Sequence, residues 1–208
     1  HRQASSIHIQ YDVMTDMLLV ATQNRHKADE IAVLLNDLPV RVVTLADINP
    51  GLDVPETGAT FMENAREKAV TAAALTGMLT LADDSGLEVD ALGGAPGVQS
   101  ARFAGLPRDD AANNRKLIGL LAGVPSERRT ARFRCALALA QGGRIVLETE
   151  GTFAGVICDA ARGTNGFGYD PHFLVPELGL TAAELPSDEK NTRSHRGQAL
   201  RAMLARME

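Results

Sequence analysis

MLLVATQNRHK, residues 17–27, decides the fold class. Its first six residues form a continuous apolar run with a β-branched end, the pattern of a strand buried in a parallel sheet. The run stops at a polar cluster. Apolar residues then recur at Ala28, Ile31, Ala32, Leu34 and Leu35, which is helical spacing. Strand, polar turn and helix form one unit, and VRVVTL, residues 40–45, supplies the next strand.

Outward from this unit the same alternation continues. Residues 60–76 read as a helix and MLTLA, residues 78–82, as a third strand. The glycine-rich stretch over residues 92–105 reads as a long irregular loop, and loops of that length inside domains usually carry function. Residues 109–121 look helical. TARFRCALALA and RIVLETEGTFAGVI flank QGG as a hairpin, and residues 197–207 form an amphipathic final helix. The class is α/β with a mixed sheet. Residues 1–14 lack any hydrophobic period and read as a disordered leader or cloning remnant, which leaves residues 15–208 as a single domain.

The formal net charge of -5 argues against nucleic acid as the main partner, so any anion-binding surface must be local. No apolar stretch has the length of a membrane span. Cys135 and Cys158 are far apart and outside any CxxC spacing, which indicates neither a disulfide framework nor a zinc site and suits a reducing cytoplasm.

Four polar constellations interrupt this framework. Thr22, Asn24 and Lys27 lie at the first strand-to-helix turn, where unpaired N–H groups and the helix dipole suit a phosphate; Asn24 equally suits an N-cap. Asn64 and Lys68, at i and i+4, share a helical face, while Glu56 lies in a Pro/Gly-punctuated loop from which it could reach a metal. Asp83 and Asp84 open a DSG turn at the carboxyl end of the third strand, where open α/β sheets bind ligands. Consecutive strand residues face opposite ways, so one of the two should serve chemistry and the other the scaffold. Glycines flank Phe167 as for a stacking platform, and Lys190, His195 and Arg196 are expected to converge from a loop broken before Gly197.

Taken in order and spacing, ATQNRHK, ETGATFMENAREKA, ADDSGLEVDALGGAPGVQSARFAG, GFGYDPHF and SHRGQAL resemble the inosine/xanthosine triphosphate pyrophosphatase family, from about Met17 to the C-terminus. The resemblance implies an elongated two-lobed fold, a homodimer, and a nucleotide in the cleft between lobes. It implies hydrolysis of ITP, dITP or XTP to monophosphate and pyrophosphate with magnesium, or manganese in its place. By position, Thr22, Asn24, Lys27 and Lys68 would hold the triphosphate. Glu56 and Asp84 would organise the metal, and Asp84 would also act on the attacking water. Ser85 would contact substrate and Phe167 would stack on the base. Gly168, Tyr169, Asp170, Lys190, His195 and Arg196 would complete the base pocket. The chain departs from the family pattern at Gln23 and Asn165, where glycine is usual.

With Lys190, His195 and Arg196 as donors, such a pocket would satisfy the O6 acceptor of hypoxanthine or xanthine and leave donors unpaired against adenine. The rivals are a pyrophosphatase for modified pyrimidine or methylated nucleotides, a nucleotide sensor without turnover, and a P-loop ATPase or kinase. The sensor is disfavoured by the intact carboxylates Glu56 and Asp84, and the P-loop enzyme by the missing GxxxxGK[ST].

Overall fold

The computed structural model describes residues 17–52 and 54–207, so the expectation for residues 1–14 lies outside it. Seven strands build one mixed sheet: β1 (Met17–Val20), β2 (Arg41–Thr44), β3 (Thr80–Val89), β4 (Thr130–Gln141), β5 (Arg144–Ile157), β6 (Phe173–Val175) and β7 (Leu180–Thr181). Their spatial order is β2-β1-β3-β4-β5-β6-β7. β1 is parallel to both neighbours, and every later pairing is antiparallel. The helices are α1 (Arg25–Leu34), α2 (Leu45–Ile48), α3 (Phe61–Thr76), α4 (Asp110–Leu120), α5 (Ser187–Arg193) and α6 (His195–Leu204).

Helix α3 follows directly from its sequence. Thr60 caps it by accepting from the Glu63 N–H, and Gly77 ends it in a left-handed conformation. Ala65, Ala69, Ala72 and Ala73 then form a small-residue face that packs on Ala82, Ala136 and Ala138 of the sheet. Such side chains let helix and sheet backbones approach closely, which brings polar residues on the same helix to the strand beside it.

The opposite face of β3 places the site. Leu81, Asp83, Ser85, Leu87 and Val89 succeed one another along it. Leu81 belongs to a core with Ile31, Leu137 and Leu200; Leu87 and Val89 belong to a second core with Phe133, Phe153 and Phe173. Asp83 and Ser85 therefore interrupt one sheet face between two hydrophobic cores. Each fully buried leucine in these cores contributes about 2 kcal/mol, and the interruption forgoes that contribution.

Three expectations are corrected. No turn forms at Asp83–Ser85: β3 runs through it, paired with β4 from Thr80 opposite Ala140 to Val89 opposite Ala131. The 92–105 stretch is not irregular throughout, because 3-10 helices span Asp90–Leu92 and Gly97–Arg102. The final helix starts at His195 and not at Gly197. The break falls at Ser194, whose side chain accepts from the Gly197 N–H.

Candidate active site

A cleft of about 630 Å³ opens beside β3, reached by Asp84 from one face of the strand and Ser85 from the other, within the range of about 300–1,000 Å³ usual for ligand sites. All of the sequence-predicted site residues line it: Thr22, Asn24, Lys27, Glu56, Lys68, Asp84 and Ser85 on one side, and the 167–170 turn, Lys190, His195 and Arg196 on the other.

The first turn of α1 is built as the sequence suggests. Asn24 is the N-cap, its Oδ1 accepting from the Lys27 N–H at 3.3 Å, and Thr22 Oγ1 accepts from the Asn24 N–H at 3.1 Å. Gln23 donates to the carbonyl of Leu52 at 2.9 Å and ties this turn to the following loop, a bond no glycine could make.

Asp83 and Asp84 face opposite ways and meet different partners. Asp83 is fully buried and bonds Lys27 Nζ at 2.8 Å, Arg196 Nε at 2.9 Å, Ser85 Oγ at 2.9 Å and Cys135 Sγ at 3.1 Å. Burial alone would raise its pKa, but Arg196 and Lys27 outweigh that and hold the carboxyl well below the usual carboxylate range. Asp84 accepts from Asn64 Nδ2 at 3.0 Å and lies 3.5 Å from Lys68 Nζ. Its burial prevails over Lys68 and Lys27, and its pKa is raised.

Lys68 joins the helix to the loop and the strand. Its ammonium bonds Glu56 at 2.8 Å and the carbonyl of Asp83 at 2.7 Å. Burial would lower the Lys68 pKa, but Asp84 and Glu56 raise it, so the lysine stays charged. Asn64 also accepts from the Gly58 N–H at 2.8 Å, which holds the Glu56 loop beside Asp84. Among the described residues no group of three or more His, Cys, Asp or Glu side chains gathers as a metal cage. Glu56 and Asp84 nevertheless face one another across Lys68, a donor pair suited to a hard cation that completes its shell with phosphate oxygens and water.

At the other end, Gly166 and Gly168 both take left-handed φ angles, 72° and 62°, and hold Phe167 between them. Asn165 does not share this conformation. It anchors the turn with its side chain, Nδ2 donating to the carbonyl of Leu185 at 3.0 Å. Phe167 is half-buried, and the His26 ring stacks on it at 5.1 Å. Tyr169 turns its ring into the second core and donates its hydroxyl to the carbonyl of Ser100 at 2.7 Å, so only part of it faces the cleft.

Lys190, His195 and Arg196 converge from helices α5 and α6, not from a loop, and two of the three are already engaged. Lys190 Nζ bonds Asp170 at 2.6 Å and Glu30 at 2.9 Å. Arg196 bonds Asp83, Ser85 and Glu30. The expectation of three free donors for a base is thereby corrected. His195 stacks on Phe133 at 5.0 Å, and its Nδ1 is buried without a partner. Burial, then Arg196, pushes its pKa well below the ordinary value, so the imidazole is neutral.

Sequence reasoning passed over Glu30, His26, Arg102, Arg108 and Asp110. The last four line the cleft, and Glu30 joins Lys190 to Arg196 beneath it. Glu30 lies three residues after Lys27 on the same helix face, a periodic signal available from sequence. For the other four no local pattern separates them from solvated charges.

A family model described as the Ham1 family matches residues 18–206. The chain is 53% identical over 184 residues to a dITP/XTP pyrophosphatase of Desulforamulus reducens, covering 88% of this chain and 92% of that one. Among solved structures, a HAM1 protein from Coxiella burnetii superposes with TM-score 0.82 at 43% identity, covering 91% and 96% of the two chains. A nucleoside-triphosphatase, or dITP/XTP pyrophosphatase, of Mycobacterium abscessus gives TM-score 0.72 at 46% identity, with 90% and 98% covered.

Proposed function

The chain belongs to the Ham1 family, and from that premise we infer that it is a pyrophosphatase that hydrolyses dITP, ITP and XTP to monophosphate and pyrophosphate, removing non-canonical purines from the nucleotide pool. The observation that carries the reading is that one cleft brings the buried carboxylate Asp84, 3.5 Å from Lys68, and the Lys27 turn together with the Phe167 ring and His195.

In this reading Thr22, Asn24 and the α1 N-terminus take the phosphate chain, with Lys27 and Lys68 neutralising it. Asp84 orients a water against the α-phosphorus and accepts its proton, while the bond from that phosphorus to the bridging oxygen breaks and pyrophosphate leaves with the electron pair. The raised pKa suits Asp84 to that acceptance. Glu56 and Asp84 would hold magnesium, or manganese in its place, and the ion when bound withdraws charge from the phosphate oxygens. Ser85 lies beside Arg196 on the cleft floor, and Gly168 and Asp170 hold the platform on which the base stacks.

His195 is the remaining open group for the purine edge. A neutral imidazole that lines the cleft can donate from one ring nitrogen to O6 of hypoxanthine or xanthine, whereas adenine presents an amino donor at that position. The test is product analysis with dITP, XTP, dGTP and dATP. Pyrophosphate release, with kcat/KM for dITP and XTP far above that for dATP, is expected. Orthophosphate as product, or comparable efficiency with dATP, would overturn the reading.

Residues 15–208 act as a single domain in this proposal, working in the cytoplasm as a homodimer. Among the described residues no helix is long and apolar enough to cross a membrane. The dimer rests on family resemblance, and light scattering that found only one chain's mass at micromolar concentration would refute it.

A further inference from the structure

Phe167 sits between two left-handed glycines, so its own turn gives the ring little fixed direction. What fixes it comes from elsewhere in the chain. Its N–H donates to Asp170 Oδ2 at 2.9 Å. The next peptide is gripped at both ends by α4: the Gly168 N–H donates to Asp110 Oδ2 at 2.9 Å, and Asn114 Nδ2 donates to the Gly168 carbonyl at 2.8 Å. Asp110 and Asn114 stand at i and i+4 and so share one helix face. A turn or more further along, Leu117 and Leu121 bury α4 and its C-cap in the same core as Tyr169 and Phe173, which makes the helix a fixed support.

Asn114 carries a mark of a role beyond holding the fold together. Its Oδ1 is buried with no partner, while its Nδ2 donates to both Gly168 and the Asp110 carbonyl. An amide kept at the cost of an unpaired buried acceptor is kept for its donors. Asp110, for its part, lines the cleft itself.

We propose that Asp110 and Asn114 are positioning residues for base recognition: by clamping the Gly168 peptide they hold the Phe167 ring at the height and tilt needed to stack on the purine. The inference rests on the reading that Phe167 stacks on the base. A tie that served folding alone would weaken every part of the site together, whereas a clamp on the platform acts only on nucleotides that use it.

The experiment measures KM and kcat for dITP hydrolysis, together with inhibition by inorganic tripolyphosphate, which occupies the phosphate end without a base. The variants are Asn114→Ala, Asp110→Ala and the conservative Asp110→Asn, each in the native and the Phe167→Ala backgrounds. Either alanine variant is expected to raise KM for dITP up to about tenfold, with kcat within about threefold and tripolyphosphate inhibition unchanged. Asp110→Asn, which keeps an acceptor oxygen for Gly168, should restore near-native KM. In the Phe167→Ala background the alanine variants should add nothing further. Equal losses in kcat and tripolyphosphate affinity, or full additivity with Phe167→Ala, would overturn the clamp. If Phe167→Ala alone leaves KM for dITP unchanged, the stacking reading fails, and the clamp with it. Should Asn114→Ala not fold, the comparison of Asp110→Ala with Asp110→Asn carries the same test.

Discussion

Replacing Asp83 with asparagine should destabilise the protein far more than the same change at Asp84, although the two are neighbours in sequence. Asp83 is fully buried and pairs with Lys27 and with Arg196, whose side chain is only 1% exposed. Removing one partner of a buried ion pair typically costs about 3–5 kcal/mol, because the other charge is left uncompensated. Arg196 keeps Glu30, and Lys27, partly exposed, can turn to water, so the lower end of that range, about 3 kcal/mol, is expected. For a chain of this size that corresponds to a fall in Tm of roughly 6–12 °C. Asp84 differs in sign. Burial outweighs its lysines and raises its pKa, so the fold does not favour its charge, and Asp84→Asn should change stability by less than about 1 kcal/mol. Its cost should fall on turnover, by about 10²- to 10⁴-fold, since an amide cannot accept the water's proton. Thermal and urea melts without metal, run beside pyrophosphate release, read both effects. An inactive Asp83→Asn that melts like the native protein, or an Asp84→Asn that melts about 10 °C lower, would refute the division of roles.

Other outcomes follow from neighbouring groups. His195 is neutral in the fold with its pKa pushed well below 6.5, so as pH falls through 6.5 the unfolded chain takes a proton that the native protein refuses. Stability should therefore fall towards pH 5 by up to about 1.4 kcal/mol per pH unit, and His195→Phe should flatten that part of the Tm–pH curve. Lys68→Met leaves Glu56 and Asp84 facing each other without their shared cation. Magnesium should then raise the Tm of this variant more than that of the native protein, and equal shifts would count against a metal held by these two carboxylates. Gly151→Ala would drive a methyl group into the His195 carbonyl, so α6 must shift off β5. It should cost about 1–3 kcal/mol and raise KM for dITP, measured by melts and steady-state kinetics.

The readable parts of the fold were those in which local and tertiary preferences agree. Thr60, the alanine face and Gly77 specify α3 between them, and the two glycines after Gln141 specify the β4–β5 hairpin. At Asp83 and Ser85 the two levels disagree. The local DSG pattern favours a turn, but ten paired positions along β4 and cations from α1 and α6 outweigh it. None of those partners lies near Asp83 in the chain, so no window of sequence reveals them. The break at Ser194 was displaced for a similar reason. Gly197 packs on the Asn191 carbonyl, and the His195 carbonyl packs on Gly151 of β5, a contact distant in sequence that accompanies the turn at the serine cap.

The same long-range pairing explains how a chain of net charge -5 can present a site for a polyanion. Its buried cations are paired with carboxylates, while Arg108, which is exposed, lines the rim. Lys27 meets Asp83, Lys68 meets Glu56 and Asp84, and Lys190 meets Asp170 and Glu30, while Arg196 bridges Asp83 and Glu30. From Lys27 through Asp83, Arg196, Glu30 and Lys190 to Asp170, positive and negative groups alternate without interruption, and Asp170 ends the series on the Phe167 N–H. The alternation lets buried charges persist, since each is compensated by its neighbours. In the proposed site it also runs from the turn assigned to phosphate to the ring assigned to the base, so a triphosphate that drew Lys27 away from Asp83 would perturb the pairing of Arg196, and through Glu30 that of Lys190. On the proposed roles, phosphate binding and base recognition would in this way be electrostatically linked within the fold itself.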